Sequence, residues 1–252
     1  MFKFEDIIKK DDTAYFISPH LDDAILSAGG LIHYLVRNGI EVRVITIFTR
    51  PSPPPETRHA RKYVRLCGWD SASELFKQRL REDILVFGDL GIKPIHLDFI
   101  DAAWRKKQNN GYGWMTRLLP EVVHLYPLRL CKYLKIIHRQ DRVLMKRLED
   151  KLSRLVPGSH SVVFCPLARG NHVDHIITKQ VCEKIFKKVV FWDDFPYSLK
   201  ETGPVAGYVR IAWNKYLNEK ISSVESYKTQ LHLLFGKTRP PVCPETYYLL
   251  SD

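Results

Sequence analysis

The chain contains no apolar run of the roughly 18 residues that a membrane-crossing helix needs, so no transmembrane segment is expected. Cysteine is sparse: five residues, at positions 67, 131, 165, 182 and 243, with no Cys-x-x-Cys pair among them. An odd and scattered set excludes a disulfide framework and suits a reducing compartment, with the cytoplasm as the default. Met1-Phe2-Lys3-Phe4-Glu5-Asp6 is acidic and has no long apolar stretch, so it does not read as a signal peptide. There is no internal repeat, and the only low-complexity stretch is the proline run in Arg50-Pro51-Ser52-Pro53-Pro54-Pro55. Negative charge is also short, with 28 Asp and Glu against 39 Lys and Arg, a formal net charge of +11. Between Arg105 and Arg154 there are 13 basic and 4 acidic residues, so that segment alone carries +9. Such a field can serve nucleic acid, anionic lipid headgroups or a phosphorylated substrate, and a solvated basic surface would look the same.

What is present is an alternation of strand and helix signals over 252 residues, 45% of them hydrophobic, enough for a sizeable core. Thr13–Ser18 and Glu41–Thr49 are rich in β-branched and aromatic residues and read as strands, with a helix over Asp22–Asn38 between them. Helices are expected at Thr57–Cys67 and Ser73–Leu90, and a third strand at Lys93–Phe99 whose exit carries Asp98, Asp101 and Arg105. The order predicts an α/β fold, a Rossmann-like, mostly parallel sheet flanked by helices in a single domain over 1–252. The alternation lapses at about 104–137, where Asn109–Trp114 is loop-like and basic and aromatic residues accumulate. This reads as a basic insertion over the active edge or a partner surface. Arg139–Leu155 is a basic amphipathic helix, with Val143, Leu144, Leu148, Leu152 and Leu155 at positions suited to packing on the sheet. Beyond it come strands at Ser161–Leu167 and Val189–Trp192, a helix from Ile176 to about Lys187, and an edge strand at Ala206–Trp213. A long helix over Lys215–Phe235 and a last strand at Glu245–Leu250 complete the chain.

Two of these strands run into polar turns of one type. The first ends in Pro19-His20-Leu21-Asp22-Asp23-Ala24, the second in His172-Val173-Asp174-His175. In an open α/β sheet such turns lie at the carboxyl edge, where ligands bind. His20 and Asp23, three apart, can aim at one point, with Asp22 directed elsewhere as a base beside a metal; Asp22 or Asp23 could equally cap the helix. A catalytic zinc takes three His or carboxylate ligands and keeps an open position, and His20, Asp23 and one histidine of the second turn would supply that set.

With these motifs the chain resembles the PIG-L/LmbE-like zinc-dependent N-acetylglucosaminyl deacetylases. The family's first motif corresponds to Pro19–Ala24 and its His-x-Asp-His to His172–His175. Its Arg-x-x-Glu helix ending in Leu-Gly corresponds to Arg79–Glu82 through Leu90-Gly91, and its acidic loop to Asp98–Asp101. The similarity runs from about Tyr15 to Leu234. Trp192–Tyr197 and Tyr227-x-x-Gln230 look like the branch acting on glycosides in bacterial natural-product or surface-glycan pathways. The resemblance implies zinc bound by His20, Asp23 and His175, and Asp22 as general base. It implies His172 as the group that stabilises the oxyanion or protonates the departing amine, with Asp174 orienting its ring. Arg79 and Asp101 match positions that touch sugar hydroxyls, and Asp194 and Tyr197 are further expected substrate contacts. The chain departs from the pattern at Ala24, where a Glu is usual, and at Gly170, where some members carry a Tyr.

The expected partner is therefore a small N-acetylated amino-sugar glycoside, such as an aminoglycoside-like pseudodisaccharide, and no nucleic acid. Two alternatives rest on the charge. A metal-dependent hydrolase of a phosphorylated or nucleotide-linked substrate would want a larger carboxylate set. A basic nucleic-acid or membrane-surface binder would work without either histidine motif.

Overall fold

A computed structural model describes residues 7–108, 119–199 and 203–251. The loop expected at Asn109–Trp114 lies outside them. The chain builds a seven-stranded sheet in the order β3-β2-β1-β4-β5-β7-β6. Its strands are β1 (Thr13–Ser18), β2 (Glu41–Arg50), β3 (Ile95–Ile100), β4 (Ser161–Pro166), β5 (Val189–Trp192), β6 (Tyr208–Trp213) and β7 (Glu245–Leu250). Strands β1 to β5 pair in parallel, whereas β7 runs antiparallel to both β5 and β6. The central strands are apolar along nearly their whole length because helices cover both faces. The helices are α1 (Asp23–Arg37), α2 (Arg58–Leu66), α3 (Ala72–Gly88), α4 (Asp141–Leu155), α5 (Val173–Ile185), α6 (Leu217–Val224) and α7 (Lys228–Phe235).

One face of the sheet packs against α1 and the α6–α7 pair through Ile25, Leu31, Ile32, Val224 and Tyr227. The other packs against α4 and α5 through Leu148, Leu152, Ile177 and Val181. A third cluster, Leu21, Val64, Leu75, Phe76 and Trp104, joins α2 and α3 to the loop after β1. At the middle of α1, Gly29-Gly30 allows the chain entering α6 to lie close, since a Cβ at Gly30 would stand 2.8 Å from the Lys215 carbonyl.

Two expectations change. The helix predicted over Lys215–Phe235 is broken between Val224 and Lys228. Tyr227 leaves the helical region there so that its buried ring enters the core and its hydroxyl donates to Asp83 at 2.9 Å. Helix α7 then restarts with Thr229 held by Glu82, the Thr229 hydroxyl donating at 2.7 Å. Val143, expected on the packed face of α4, is exposed, and the packing is carried by Leu148 and Leu152. Part of the segment at 104–137 is built into the fold: Trp104, Arg105, Tyr126 and Lys132 are buried.

The strand order reverses at β1. From β1 the chain passes outward to β2 and β3, then returns to add β4 on the other side. The carboxyl ends of β1 and β4 therefore flank the crevice that such a reversal opens. Both histidine motifs leave from these two ends.

Candidate metal centre and active site

Ser18 ends β1, and its hydroxyl donates to the His20 carbonyl at 2.7 Å and accepts from the Ala24 N–H at 3.1 Å. This ties the tight turn to the first residues of α1 and leaves His20 and Asp23 facing the crevice. The Asp23 Oδ2 lies 3.0 Å from His20 Nδ1 and 3.2 Å from His175 Nε2. At metal–ligand distances of about 2.0–2.1 Å, tetrahedral ligand atoms stand roughly 3.4 Å apart, so this trio needs little adjustment to hold a zinc-sized cation. Across the switch point, His172 caps α5 and His175 lies in its first turn.

The buried surroundings are strongly acidic, with Asp22, Asp23, Asp101, Asp174 and Asp194 all nearly out of solvent. Burial alone would favour a neutral His20, but the Asp174 and Asp23 carboxylates push it up to about 10. His175 is likewise raised well above the ordinary imidazole value, against burial, by Asp23 and Asp194. Asp23 is held well below the carboxylate range because the two imidazoles outweigh its burial. Asp22 moves the other way: burial first, then the neighbouring Asp23 charge, push it up to about 7. A pocket that draws positive charge onto its imidazoles is one that a cation would satisfy.

A second trio, His20, His172 and Asp174, also brings its donor atoms within 4.8 Å of one another. Its carboxylate is already committed. The buried Arg105 guanidinium donates to Asp174 Oδ1, and the Ala102 N–H donates to Oδ2 at 3.0 Å. Arg105 also faces Asp141 at 3.6 Å, between the rings of Phe48 and Tyr126. The first trio's carboxylate meets the two imidazoles and the His20 backbone N–H, at 2.9 Å, but no guanidinium, and is the better cation site.

The other expected residues fall in different places. Asp174 does not turn its carboxylate to the His172 ring. Instead its backbone N–H donates to His172 Nδ1 at 3.3 Å, while its side chain serves Arg105 and His20, at 3.2 Å. Asp194, expected at the substrate, is buried behind His175. Its Oδ1 lies 2.6 Å from His175 Nδ1 and its Oδ2 accepts from the Arg169 N–H at 2.8 Å. A carboxylate so placed orients a metal-binding imidazole through the ring nitrogen away from the metal. Asp101 caps the turn Ala102–Trp104 through the Ala103 N–H, with its other oxygen 3.6 Å from His20. Arg79 is buried, stacked on Tyr63 and Phe76, and donates to the Tyr63 hydroxyl at 2.8 Å. Tyr197 alone of the four substrate candidates lines the open cleft of about 860 Å³. Asp98 points elsewhere, toward Thr49 on β2.

The departure at Gly170 has a structural counterpart. Gly170 has a φ of +73°, and a Cβ built on it would meet the Tyr197 ring at 2.4–2.9 Å. Tyr197 thus packs into the space that only a glycine leaves. Sequence reasoning did not single out Tyr133, whose ring meets His172 edge-on at 5.3 Å, nor Lys132 beside it. Both stand on a short turn, Leu130–Tyr133, with no periodicity to mark it.

The profile of the PIG-L family, described as GlcNAc-PI de-N-acetylase, matches residues 15–186. A 2'-N-acetylparomamine deacetylase from Niallia circulans is 27% identical over 91% of this chain and 85% of its own length. Among solved structures, the zinc-inhibited form of teicoplanin deacetylase Orf2 superposes with a TM-score of 0.75 at 22% identity. That match covers 95% of this chain and 99% of the other. The N,N'-diacetylchitobiose deacetylase from Pyrococcus horikoshii gives 0.52 at 15% identity, over 91% and 74% of the two chains. The fold is shared with both. Since the family profile spans both turns that meet across the switch point, this chain belongs to the PIG-L family of de-N-acetylases.

Proposed function

We propose that the protein is a zinc-dependent hydrolase that removes the acetyl group from an N-acetylglucosamine-type glycoside, a small biosynthetic intermediate. The observation that carries this reading is the His20–Asp23–His175 trio with Asp22 adjoining it. Its donor set of two imidazoles and one carboxylate leaves a ligand position open, as catalytic zinc requires. Zinc held there would polarise the acetamide carbonyl and lower the pKa of water at the site. Fe²⁺ or Co²⁺ would accept the same ligands.

The chain's own residues supply the proton transfers. Asp22, whose carboxyl is pushed up in the metal-free site by burial and the Asp23 charge, is placed to take a proton from the attacking water. His172 is kept neutral, held well below the usual imidazole value by burial and then by the Lys132 charge. Its Nδ1 accepts from the Asp174 N–H, so its proton sits on Nε2. That N–H can donate a hydrogen bond to the developing oxyanion, and the proton taken up by Asp22 is the one available to the departing amine. Asp194 and Asp174 act as positioning residues for His175 and His20, and Tyr197 forms part of the substrate wall. Arg79 and Asp101 act from behind, by shaping that wall and the His20 environment.

The curated relative is named for 2'-N-acetylparomamine, which supports an amino-sugar glycoside as the substrate class. No helix among the described residues is long and apolar enough to cross a membrane, and the five thiols are unpaired, which supports a cytoplasmic location. The deciding experiment is acetate release from a panel of N-acetylglucosaminyl glycosides, with chelator and then zinc. Release that chelator stops, zinc restores and Asp22→Asn abolishes is the expected result. Absence of both acetate release and metal binding would sink the reading.

A further inference from the structure

The cleft leading to the metal centre has an unusual lining. His59, Lys62, Arg129 and Lys132 face it, and among the described residues that line it none is Asp or Glu. Lys132 is the telling member. It is 8% exposed, and among the described residues it has no carboxylate partner and no hydrogen bond, only the Tyr133 ring 5.9 Å from its Nζ. Its stem is buried in the wall while its ammonium is presented to the cleft with no carboxylate neutralising it, placed to meet an anion. The side-chain nitrogen of Gln230, also lining the cleft and buried, has no acceptor either. Lys132 and Arg129 come from the basic segment, whereas Lys62 stands on α2 across the opening, so the positive charge converges from two walls. The subsite adjoins the reaction centre: Tyr133, next in sequence to Lys132, meets the His172 ring, and Tyr197 meets the His175 ring at 6.3 Å.

We propose that this cleft binds an acidic group, a phosphate or a carboxylate, carried by the substrate beside its N-acetylated sugar, with Lys132, Arg129 and Lys62 as the cationic contacts. The proposal rests on the deacetylase reading and narrows its substrate class. It disfavours polycationic aminoglycosides of the kind for which the curated relative is named, because these walls would repel them. Lys and Arg at a cleft mouth both steer anions inward and bind them by charge-assisted hydrogen bonds.

The test uses the full-length, zinc-loaded protein and N-acetylglucosaminides that differ in the charge of the group attached to the sugar. These are a neutral methyl glycoside, the 1-phosphate, a glycoside of a hydroxy acid, and cationic 2'-N-acetylparomamine. The phosphate and hydroxy-acid arms identify which acid is read. The expected kcat/KM for an acidic glycoside exceeds that for the neutral one by about tenfold or more, the scale of one charge-assisted hydrogen bond. Lys132→Gln should shrink that ratio by a similar factor, and Lys62→Gln on the exposed face of α2 serves as the second variant should the first fail to fold. Neutral or cationic glycosides turned over as well as acidic ones, or a ratio unmoved by both substitutions, would overturn the proposal. If no glycoside releases acetate, the deacetylase reading fails, and calorimetric titration with N-acetylglucosamine 1-phosphate still decides the subsite. Binding that Lys132→Gln weakens supports it, and binding no tighter than that of free N-acetylglucosamine overturns it.

Discussion

At the scale of single residues, the centre is a set of carboxylates sorted by what neutralises them. Asp174 is paired with Arg105, Asp194 with His175, and Asp23 with two imidazoles, whereas Asp22 is left to burial and the Arg79 charge. On the proposed reading, that sorting separates a base from ligands and supports. Replacing Asp22 by Asn should lower kcat by about 10²–10⁴-fold with zinc still bound. His175→Ala should lose both activity and zinc, as metal analysis of the purified variants will show; a zinc-free Asp22→Asn protein would contradict the assignment. Gly170→Ala is a second residue-scale test. It forces a Cβ into the Tyr197 ring at a backbone angle that side chains rarely adopt, so kcat/KM should fall while zinc content stays at the wild-type level. Unchanged kinetics would show that Tyr197 has no part in the substrate wall.

At the scale of elements, the break between α6 and α7 is what brings Gln230 to the cleft and Tyr227 into the core. Tyr227 and His96 both address Asp83, at 2.9 and 2.7 Å. Tyr227→Phe deletes the hydroxyl and should cost about 1–3 kcal/mol, measured as a shift of the denaturant midpoint at constant m-value. A loss below a few tenths of a kcal/mol would mean that the kink is held by the Glu82–Thr229 contacts instead. The break was not legible in the sequence, because the apolar periodicity of 215–235 continues through it. Only a distant partner on α3 turns Tyr227 inward. By contrast, the βαβ order, the exit turns of β1 and β4 and the edge position of β6 were legible. Each depends on local patterning and on turn chemistry close in sequence. The roles expected for Asp174, Asp194, Arg79 and Asp101 were placed by motif position, and position in a motif does not say which way a carboxylate turns. That depended on Arg105, on the Arg169 N–H and on the Tyr63 hydroxyl, all supplied by other elements.

At the scale of the whole molecule, metal binding couples to protons and to stability. His20 in the metal-free protein is raised to about 10 from an unfolded value near 6.5. A raised histidine contributes stability that is fully present below about 6.5 and is lost as pH climbs through the folded value. Asp22 acts in the same direction, since ionising it in a buried site costs stability above its ordinary value. Zinc bound at the proposed site would keep the imidazoles deprotonated at every pH where it binds, so the loaded protein would be spared this loss. The difference in Tm between zinc-loaded and chelated protein should therefore widen from pH 6.5 to pH 9. Thermal scans across that range test the coupling, and a constant or narrowing difference would refute it. At a free zinc concentration of about 100 times its Kd, the stabilisation should be close to 2.7 kcal/mol.

The sequence by itself determined the α/β class, the two polar turns, the donor types of the metal trio and the excess of positive charge. These are written in periodicity, in residue type and in spacing of a few positions, which the chain enforces over short distances. Only the tertiary structure decided that the two turns meet, because that follows from β4 adding beside β1 rather than beyond β3. It alone decided that Asp194 stands behind His175, that Arg105 neutralises Asp174 and that Lys132 faces the cleft without a partner. Burial strengthens or penalises a charge according to what lies within a few ångströms, and those neighbours come from parts of the chain that no local pattern connects.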